Sequence, residues 1–247
     1  MKSLAGQSVV VVHGATNTGL AIAATLASAG ARVTVTDRDG AVATAAAERL
    51  GRDGLSVTGV QLDVTDPDGH EQLAHDVVAA TGRLDVWANN VAIAPRGAAE
   101  AISSQDWQAG IDEGLSGAFY GAQAAGRQML SYGSGVVLNV IALEGEHPVE
   151  GCVVSSAVAG GGAALTRALA IEWAASGVRV VALAPGPLVA SQAEDAAGAH
   201  SRRTPLHRAA QPGEIGQAAL FLVSSEASFI TGEILPVDGG WRAYQLF

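Results

Sequence analysis

The stretch SVVVVHGATNTGLAIAATLASAGARVTVTD, residues 8–37, determines the fold prediction. Four consecutive valines end at a glycine turn, an Ala/Leu-rich helical segment follows, and a second β-branched run closes the unit at Asp37. Strand, helix and strand at this spacing predict a βαβ unit. The alternation continues towards the C-terminus through the runs LDVWANN, GVVLNVIA and RVVALAP. The sequence therefore predicts one α/β domain over residues 1–247, a Rossmann-type doubly wound parallel sheet with helices on both faces.

Composition limits the classes of partner. The 247 residues are 49% hydrophobic and 15% charged, which suits a single domain with a large core. A net charge of −10 argues against nucleic acid and against anionic membranes, because both require clustered cations. The single cysteine, Cys152, excludes an internal disulfide framework, and we find no run of about 18 apolar residues. We expect a cytoplasmic protein that acts on a small molecule.

Several strand ends and the C-terminal segment resemble the short-chain dehydrogenase/reductase family. The resemblance rests on LDVWANNVA (84–92), GVRVVALAPGP (177–187) and RAAQPGEIGQAALFLVSSEASFITGEILPVDGGW (208–241), and it covers almost the whole chain. It implies a nicotinamide dinucleotide cofactor and an active site of Asn, Ser, Tyr and Lys. In that mechanism the tyrosine transfers a proton while hydride moves, and the lysine lowers the tyrosine pKa. The resemblance also implies a homodimer or homotetramer.

The four catalytic positions of the family fall on other residues here. Aligned on the motifs, they hold Gly114, Ala142, Ser155 and Ala159. The chain has one lysine, Lys2, ahead of the first strand, so no shift of the alignment supplies the catalytic lysine. An aliphatic hydroxyl has a far higher pKa than a phenol and has no neighbouring cation in this stretch to lower it. The sequence therefore predicts a divergent member without the catalytic tetrad.

The residues expected to bind the adenosine and phosphates of a dinucleotide are better preserved than the catalytic residues. Gly14 and Gly19 match the outer glycines of the family's phosphate-binding turn, although the turn is one residue shorter and lacks the middle glycine. Asn17 and Thr18 can donate hydrogen bonds to phosphate in its place. Asp37 can bind the ribose hydroxyls and repel a 2′-phosphate, which favours NAD(H) over NADP(H); a helix cap is the alternative role.

Further cofactor positions follow from the resemblance. Asp63 and Val64 match the pair that contacts adenine, and the Pro185–Gly186 turn is kept. Asn89 matches a residue that braces the central strands. The threonine expected to hold the nicotinamide carboxamide is replaced by alanine at position 190. The sequence thus leaves open whether NAD(H) binds at all. The irregular segment 186–207 predicts a flap beside the site.

The segment after residue 142 carries replacement polar groups. LEGEHPVEGC places Glu144 and His147 where the family's substrate loop lies, and we select both, with Ser155, as candidate catalytic residues. A solvated loop is the alternative. The spacing matches no metal-binding motif, so we predict no metal site.

Three functions remain open from the sequence. The favoured one is a non-redox enzyme of isomerase, lyase or cyclase type that acts on a small organic substrate by acid–base chemistry. The Ala/Gly-rich composition is associated with a role in specialised metabolism. The second is an NAD(H)-dependent oxidoreductase with atypical proton-transfer residues. The third is a non-catalytic relative that binds a ligand or serves as a scaffold.

Overall fold

A computed structural model of the chain describes residues 4–90, 95–186, 188 and 204–244. In this part of the chain, seven strands form one sheet in the order β3-β2-β1-β4-β5-β6-β7, and every pairing is parallel. The strands are β1 (Ser8–Val12), β2 (Arg32–Asp37), β3 (Val57–Gln61), β4 (Val86–Asn90), β5 (Gly135–Val140), β6 (Val178–Pro185) and β7 (Ile234–Val237). The prediction of a doubly wound parallel sheet is confirmed.

Helices cover both faces of the sheet. They are α1 (Asn17–Ser28), α2 (Gly40–Gly51), α3 (Pro67–Thr81), α4 (Ser104–Ile111), α5 (Gly117–Tyr132), α6 (Val153–Trp173) and α7 (Pro212–Val223). A π-helical turn, Asp112–Ser116, joins α4 to α5, and single 3₁₀ turns lie at Leu143–Gly145 and Trp241–Ala243. Side chains alternate between the layers, because successive residues of a strand point to opposite faces. Val9 and Val11 pack in the cluster with residues of α1, α2 and α7, whereas Val10 and Val12 pack with α3, α5 and α6.

The strand order reverses beside β1. This strand pairs with β2 on one side and with β4 on the other, through Val9↔Val33 and Val9↔Val86. In doubly wound sheets the crevice beyond the carboxyl ends of the strands at such a reversal is the ligand site. The ends of β1, β2 and β4 therefore define where the functional residues must lie.

A chain of buried amides holds the centre of the sheet to α6. Asn89 Oδ1 accepts a hydrogen bond from Trp87 Nε1 (2.7 Å), and Asn89 Nδ2 donates to Asn139 Oδ1 (2.9 Å). Asn139 Nδ2 in turn donates to Thr166 Oγ1 (2.9 Å). All these polar groups are buried and paired, so Asn89 braces β4 against β5.

Two expectations concern segments beyond the sheet. Residues 153–176 have the length and hydropathy of a membrane span by composition alone, although α6 within them packs against β6, as the core helix of a domain does. Most of the flap predicted over 186–207 lies outside the described residues, and so does the position of residue 190.

Candidate functional site

The turn after β1 forms the first part of the site. The Thr16 hydroxyl accepts a hydrogen bond from Gly19 N (3.2 Å) and donates to His13 O (3.0 Å), which caps the first turn of α1. From the end of β4, Asn90 Nδ2 donates to His13 O (3.0 Å) and to Thr16 Oγ1 (2.8 Å). These bonds hold the turn against β4. They leave the amino end of α1, with its partial positive charge, at the carboxyl edge of the sheet.

The two predicted glycines of this turn occupy positions that only glycine fits. A Cβ atom on Gly19 would overlap His13 O, and one on Gly14 would lie 2.7 Å from Val35 Cβ. The chain thus keeps the close approach of helix to strand that a phosphate-binding turn needs. Asn17 is exposed and Thr18 is half-buried, and neither side chain has a hydrogen bond within the described residues. Both side chains remain available to a ligand.

His13 lies at the end of β1 in a left-handed backbone conformation, with a φ of 50°. Burial lowers the pKa of its imidazole, while the Asp37 and Glu113 carboxylates and the Asn90 carbonyl oppose the shift. The ring is therefore neutral at pH 7. It lines a cavity of about 10 Å³ between β1, β4 and α5, which is room for about one water molecule.

The end of β2 carries Asp37, as predicted, and an arginine that the sequence reasoning missed. Asp37 is half-buried, and its Oδ1 accepts a hydrogen bond from Asp39 N (3.0 Å). Arg38 points to the segment after β3, where its Nη2 lies 3.1 Å from Asp63 Oδ1, and it also reaches Glu113 Oε1 at 3.4 Å. An arginine directly after Asp37 was the available signal, but its partners are 25 and 75 residues away.

The predicted adenine-contacting pair follows β3. Hydrogen bonds from Thr65 N (3.0 Å) and the Thr65 hydroxyl (2.7 Å), with the Arg38 charge, lower the pKa of Asp63 to about 2. Val64 is buried, and its carbonyl accepts a hydrogen bond from His70 Nε2 (3.0 Å). Burial lowers the pKa of His70, so a neutral ring holds this segment in place.

The turn after β6 has the predicted backbone. Gly186 N donates to Val237 O (2.9 Å), and a Cβ atom on Gly186 would lie 2.7 Å from Asp238 Cα. Pro185 ends β6 and pairs with Val237 of β7 in the sheet register. The turn therefore stays pressed against the end of β7 at the same edge as the other candidates.

The four positions aligned with the family's catalytic residues lie around the start of α6. Gly114 is buried within the π-helical turn before α5, a distortion that is frequent at functional sites. Ala142 directly precedes the 3₁₀ turn at Leu143–Gly145, and Ala159 is only 2% exposed. Ser155 is half-buried, and its hydroxyl donates to Cys152 O (3.1 Å).

The loop between β5 and α6 brings Glu144 and His147 to this region, but in different settings. Glu144 Oε1 lies 3.3 Å from Arg96 Nη2, and only 18% of the Glu144 side chain is exposed. His147 faces Trp241, with ring centroids 6.5 Å apart, and its Nδ1 is buried without a hydrogen-bond partner in the described structure. No three His, Cys, Asp or Glu side chains among the described residues are placed to hold a metal ion.

Sequence reasoning missed Arg96 as well as Arg38. Arg96 stands in the segment after β4, where the residues at 91–94 are not described, and nothing in its local pattern marks it. The sequence reasoning also missed that Asn90, the second asparagine of ANN, donates hydrogen bonds to the turn after β1. All three act through contacts with residues distant in sequence.

A crevice at the reversal of a doubly wound parallel sheet defines the general class of α/β protein, and comparisons with known proteins define the family. A family model described as enoyl-(acyl carrier protein) reductase matches residues 14–242. D-threitol dehydrogenase of Mycolicibacterium smegmatis is 33% identical over 243 residues, covering 96% of this chain and 94% of that enzyme. Cis-4-hydroxycyclohexanecarboxylate dehydrogenase of Sinomonas cyclohexanicum is 37% identical over 248 residues, covering 98% and 99%. The chain belongs to the short-chain dehydrogenase/reductase family.

A solved structure agrees with this assignment. The gluconate 5-dehydrogenase of Burkholderia cenocepacia J2315, in complex with NADP and tartrate, superposes with a TM-score of 0.91 at 29% identity and 98% coverage of both chains.

These relatives correct the favoured functional prediction. Full-length relatives at 33% and 37% identity are dehydrogenases, so the prediction of a non-redox isomerase, lyase or cyclase is wrong. The error came from giving the residues aligned with the four catalytic positions more weight than the resemblance of the rest of the chain. The glycine turn, Asp37 and the Asp63–Val64 segment are all held in place by close contacts and hydrogen bonds in the folded chain. The comparisons support the oxidoreductase alternative.

Proposed function

We propose that this protein is an NAD(P)(H)-linked oxidoreductase that interconverts a secondary alcohol and a ketone on a small hydroxylated substrate. The observation that carries the proposal is the tight turn after β1, where Gly14 and Gly19 leave no space for a Cβ atom. Such a turn serves the approach of a pyrophosphate to the backbone. The dehydrogenase relatives support the same class of reaction.

The residues around the crevice fit a dinucleotide. The amino end of α1 would face the pyrophosphate, with the free side chains of Asn17 and Thr18 as further donors. Asp37 would accept hydrogen bonds from the ribose hydroxyls. Arg38 is held towards Asp63 and Glu113, which leaves Asp37 to repel a 2′-phosphate. We therefore propose a preference for NAD(H). When bound, the nicotinamide supplies the acceptor or donor of hydride.

We further propose that proton transfer occurs without the family's Asn-Ser-Tyr-Lys tetrad, since Gly114, Ala142, Ser155 and Ala159 stand at those positions. Oxidation of an alcohol releases a hydride from carbon and a proton from oxygen. The Glu144 carboxylate is our candidate acceptor of that proton. His147 and the Ser155 hydroxyl, which donates to Cys152 O, complete the candidate set.

The relatives offer two kinds of substrate. Threitol is a neutral polyol, whereas 4-hydroxycyclohexanecarboxylate carries a carboxylate across the ring from its hydroxyl. Both contain secondary alcohols, so both fit the proposed reaction. A homodimer or homotetramer and a cytoplasmic location remain predictions from the sequence.

The experiment that tests the proposal is calorimetric titration of the purified protein with NADH and NADPH, followed by assays of nicotinamide absorbance with each substrate class. We expect NADH to bind more tightly than NADPH and at least one secondary alcohol to be oxidised. Replacement of Asp37 by Asn should weaken NADH binding and narrow the difference between the cofactors. Asp53→Asn, an exposed carboxylate in the turn before β3, is the matched control and should bind NADH as the wild type does.

The outcomes separate the alternatives. Binding with turnover supports an oxidoreductase. Binding without turnover of any secondary alcohol would contradict the catalytic proposal and leave a dinucleotide-binding relative. If neither cofactor binds, the proposal fails entirely.

A further inference from the structure

Arg96 and Glu144 form an ion pair at the edge of the candidate site. Arg96 Nη2 lies 3.3 Å from Glu144 Oε1, and the two residues are 48 positions apart in sequence. The adjacent residue, Gly97, forms a parallel bridge with Cys152, and Gly97 N donates to Gly151 O (3.0 Å). The segment that carries Arg96 therefore runs beside the loop that leads into α6.

This position is next to the residues aligned with the catalytic centre. Cys152, which bridges to Gly97, accepts the hydrogen bond from the Ser155 hydroxyl. Glu144 follows Ala142 by two residues. A substrate whose reacting carbon lay near Ser155 and Ala142 would thus extend its remaining groups towards the Arg96–Glu144 pair.

Arg96 has capacity for a second partner. A guanidinium carries five N–H donors, and within the described residues Arg96 uses one of them, at 3.3 Å to Glu144. Its side chain remains 57% exposed. Because more than half of this side chain faces solvent, a substrate carboxylate can reach Arg96 and compete with Glu144 for it.

The sign of the charge distinguishes the two kinds of substrate. The chain has a net charge of −10 and repels anions in general, so a carboxylate substrate needs a cation placed at the site. A polyol has no charge to pair with a guanidinium. A carboxylate accepts two parallel, charge-assisted hydrogen bonds from one. Given the proposed oxidoreductase function, on which this inference rests, we infer that the substrate is a hydroxy acid or its keto form, whose carboxylate binds Arg96 in place of Glu144.

The exchange has a chemical consequence for Glu144. Once the substrate carboxylate occupies Arg96, the Glu144 carboxylate is released beside the substrate hydroxyl. The released carboxylate can then accept the hydroxyl proton as the hydride leaves the carbon for the nicotinamide. In the reverse direction the same carboxyl group returns the proton to the alkoxide oxygen.

The test uses two matched four-carbon probes, tartrate and threitol, which share two central hydroxyls and differ in their ends, carboxylate in one and hydroxymethyl in the other. Binding is measured by calorimetry on the protein saturated with NADH, after NADH binding has been recorded separately. We expect tartrate to bind about ten to a hundred times more tightly than threitol, the usual range for charge-assisted hydrogen bonds.

Three variants test whether the preference for tartrate depends on Arg96. Arg96→Gln should remove the preference for tartrate and leave threitol binding unchanged. Glu144→Gln should strengthen tartrate binding several-fold, because the competing carboxylate is gone. Arg127→Gln is the matched control: Arg127 pairs with Glu71 at 2.9 Å and is 59% exposed, but it lies between α3 and α5, away from the site. It should behave as the wild type.

Equal affinity for the two probes, no detectable tartrate binding, or a preference that survives in Arg96→Gln would overturn the inference. Failure of the proposed function gives a different result: either NADH does not bind, or NADH binds and no secondary alcohol is oxidised, whatever the affinity for tartrate. NADH binding combined with threitol preference would keep the oxidoreductase and reject the hydroxy acid.

Discussion

Arg38 Nη2 and Asp63 Oδ1 lie 3.1 Å apart and join the end of β2 to the segment after β3. The same arginine reaches Glu113 Oε1 at 3.4 Å in the π-helical turn before α5. One side chain thus links three of the elements that border the crevice. The two carboxylates hold Arg38 beside Asp37, the residue to which we assign the cofactor ribose.

Asp63 should make the folded state sensitive to acid. Hydrogen bonds from the backbone and hydroxyl of Thr65, and the Arg38 charge, lower its pKa from 3.8 to about 2. A depressed carboxyl pKa stabilises the fold above the unfolded value, and this contribution is lost as the pH falls towards about 2. The side chain is 45% exposed, so solvent screening limits the contribution to about 1 kcal/mol or less.

Urea unfolding of Asp63→Asn between pH 7 and pH 2 measures this effect. The difference in unfolding free energy from the wild type should be largest at pH 7 and should shrink below about pH 4. A difference that stays constant across the pH range would show that the Asp63 charge does not contribute. Asp53→Asn serves as the exposed control.

Gly145 should tolerate no side chain. A Cβ atom there would lie 2.8 Å from Ala159 Cβ, because the 3₁₀ turn after β5 packs directly against α6. We expect Gly145→Ala to destabilise the protein by about 1–3 kcal/mol, the usual cost of overpacking. Denaturant unfolding provides the measurement.

A neighbouring glycine supplies the control for this variant. At Gly160, within α6, the nearest atom to a new Cβ is Gly145 O at 3.9 Å. Gly160→Ala should therefore be neutral or stabilise the helix by up to about 1 kcal/mol. Equal destabilisation by both substitutions would reject the close-contact explanation.

Installing the family's catalytic residues should raise turnover. In the triple variant Ala142→Ser, Ser155→Tyr, Ala159→Lys, a phenol with a nearby cation would replace the present proton-transfer groups. General acid–base catalysis is worth about 10² to 10⁴ in rate, so we expect a gain of at least about 10² in kcat for a secondary alcohol.

The control for the triple variant moves the new groups by one residue, with Ser156→Tyr and Gly160→Lys beside Ala142→Ser. This protein has the same added side chains on another face of α6 and should gain nothing. If the triple variant binds NADH normally but shows no gain, the three substituted positions do not limit the reaction.

Assembly should depend on an exposed apolar residue of α6. Ile171 is 82% exposed, and the resemblance to the family predicts pairing through this helix and α5. We expect Ile171→Glu to lower the mass measured by light scattering to that of a smaller oligomer or a single chain, because the interface would bury an unpaired charge.

Val42→Glu is the matched change on α2, where an apolar side chain is 44% exposed but no interface is predicted. It should leave the mass unchanged. A wild-type protein that is already a monomer at micromolar concentration would contradict the predicted assembly.

The positions of the cofactor candidates followed from the sequence because they lie at the ends of strands or in the turn that joins β1 to α1. Gly14, Gly19 and Asp37 were located by the βαβ pattern of residues 8–37, and the structure places them at the carboxyl edge as a parallel sheet requires. The functional class was misjudged for a related reason. The residues that the motif alignment places at the four catalytic positions were given more weight than the glycine turn at Gly14 and Gly19.

The sequence by itself determined the fold, since the period of the apolar residues and the glycine turns are local signals that specify strands, helices and their parallel connection. Only the tertiary structure decided which charges meet. Arg38 joins Glu113 across 75 residues and Arg96 joins Glu144 across 48, and no local pattern encodes either pair. Such contacts arise when the sheet brings the ends of separate strands to one edge, and they depend on side-chain reach and burial in the folded chain.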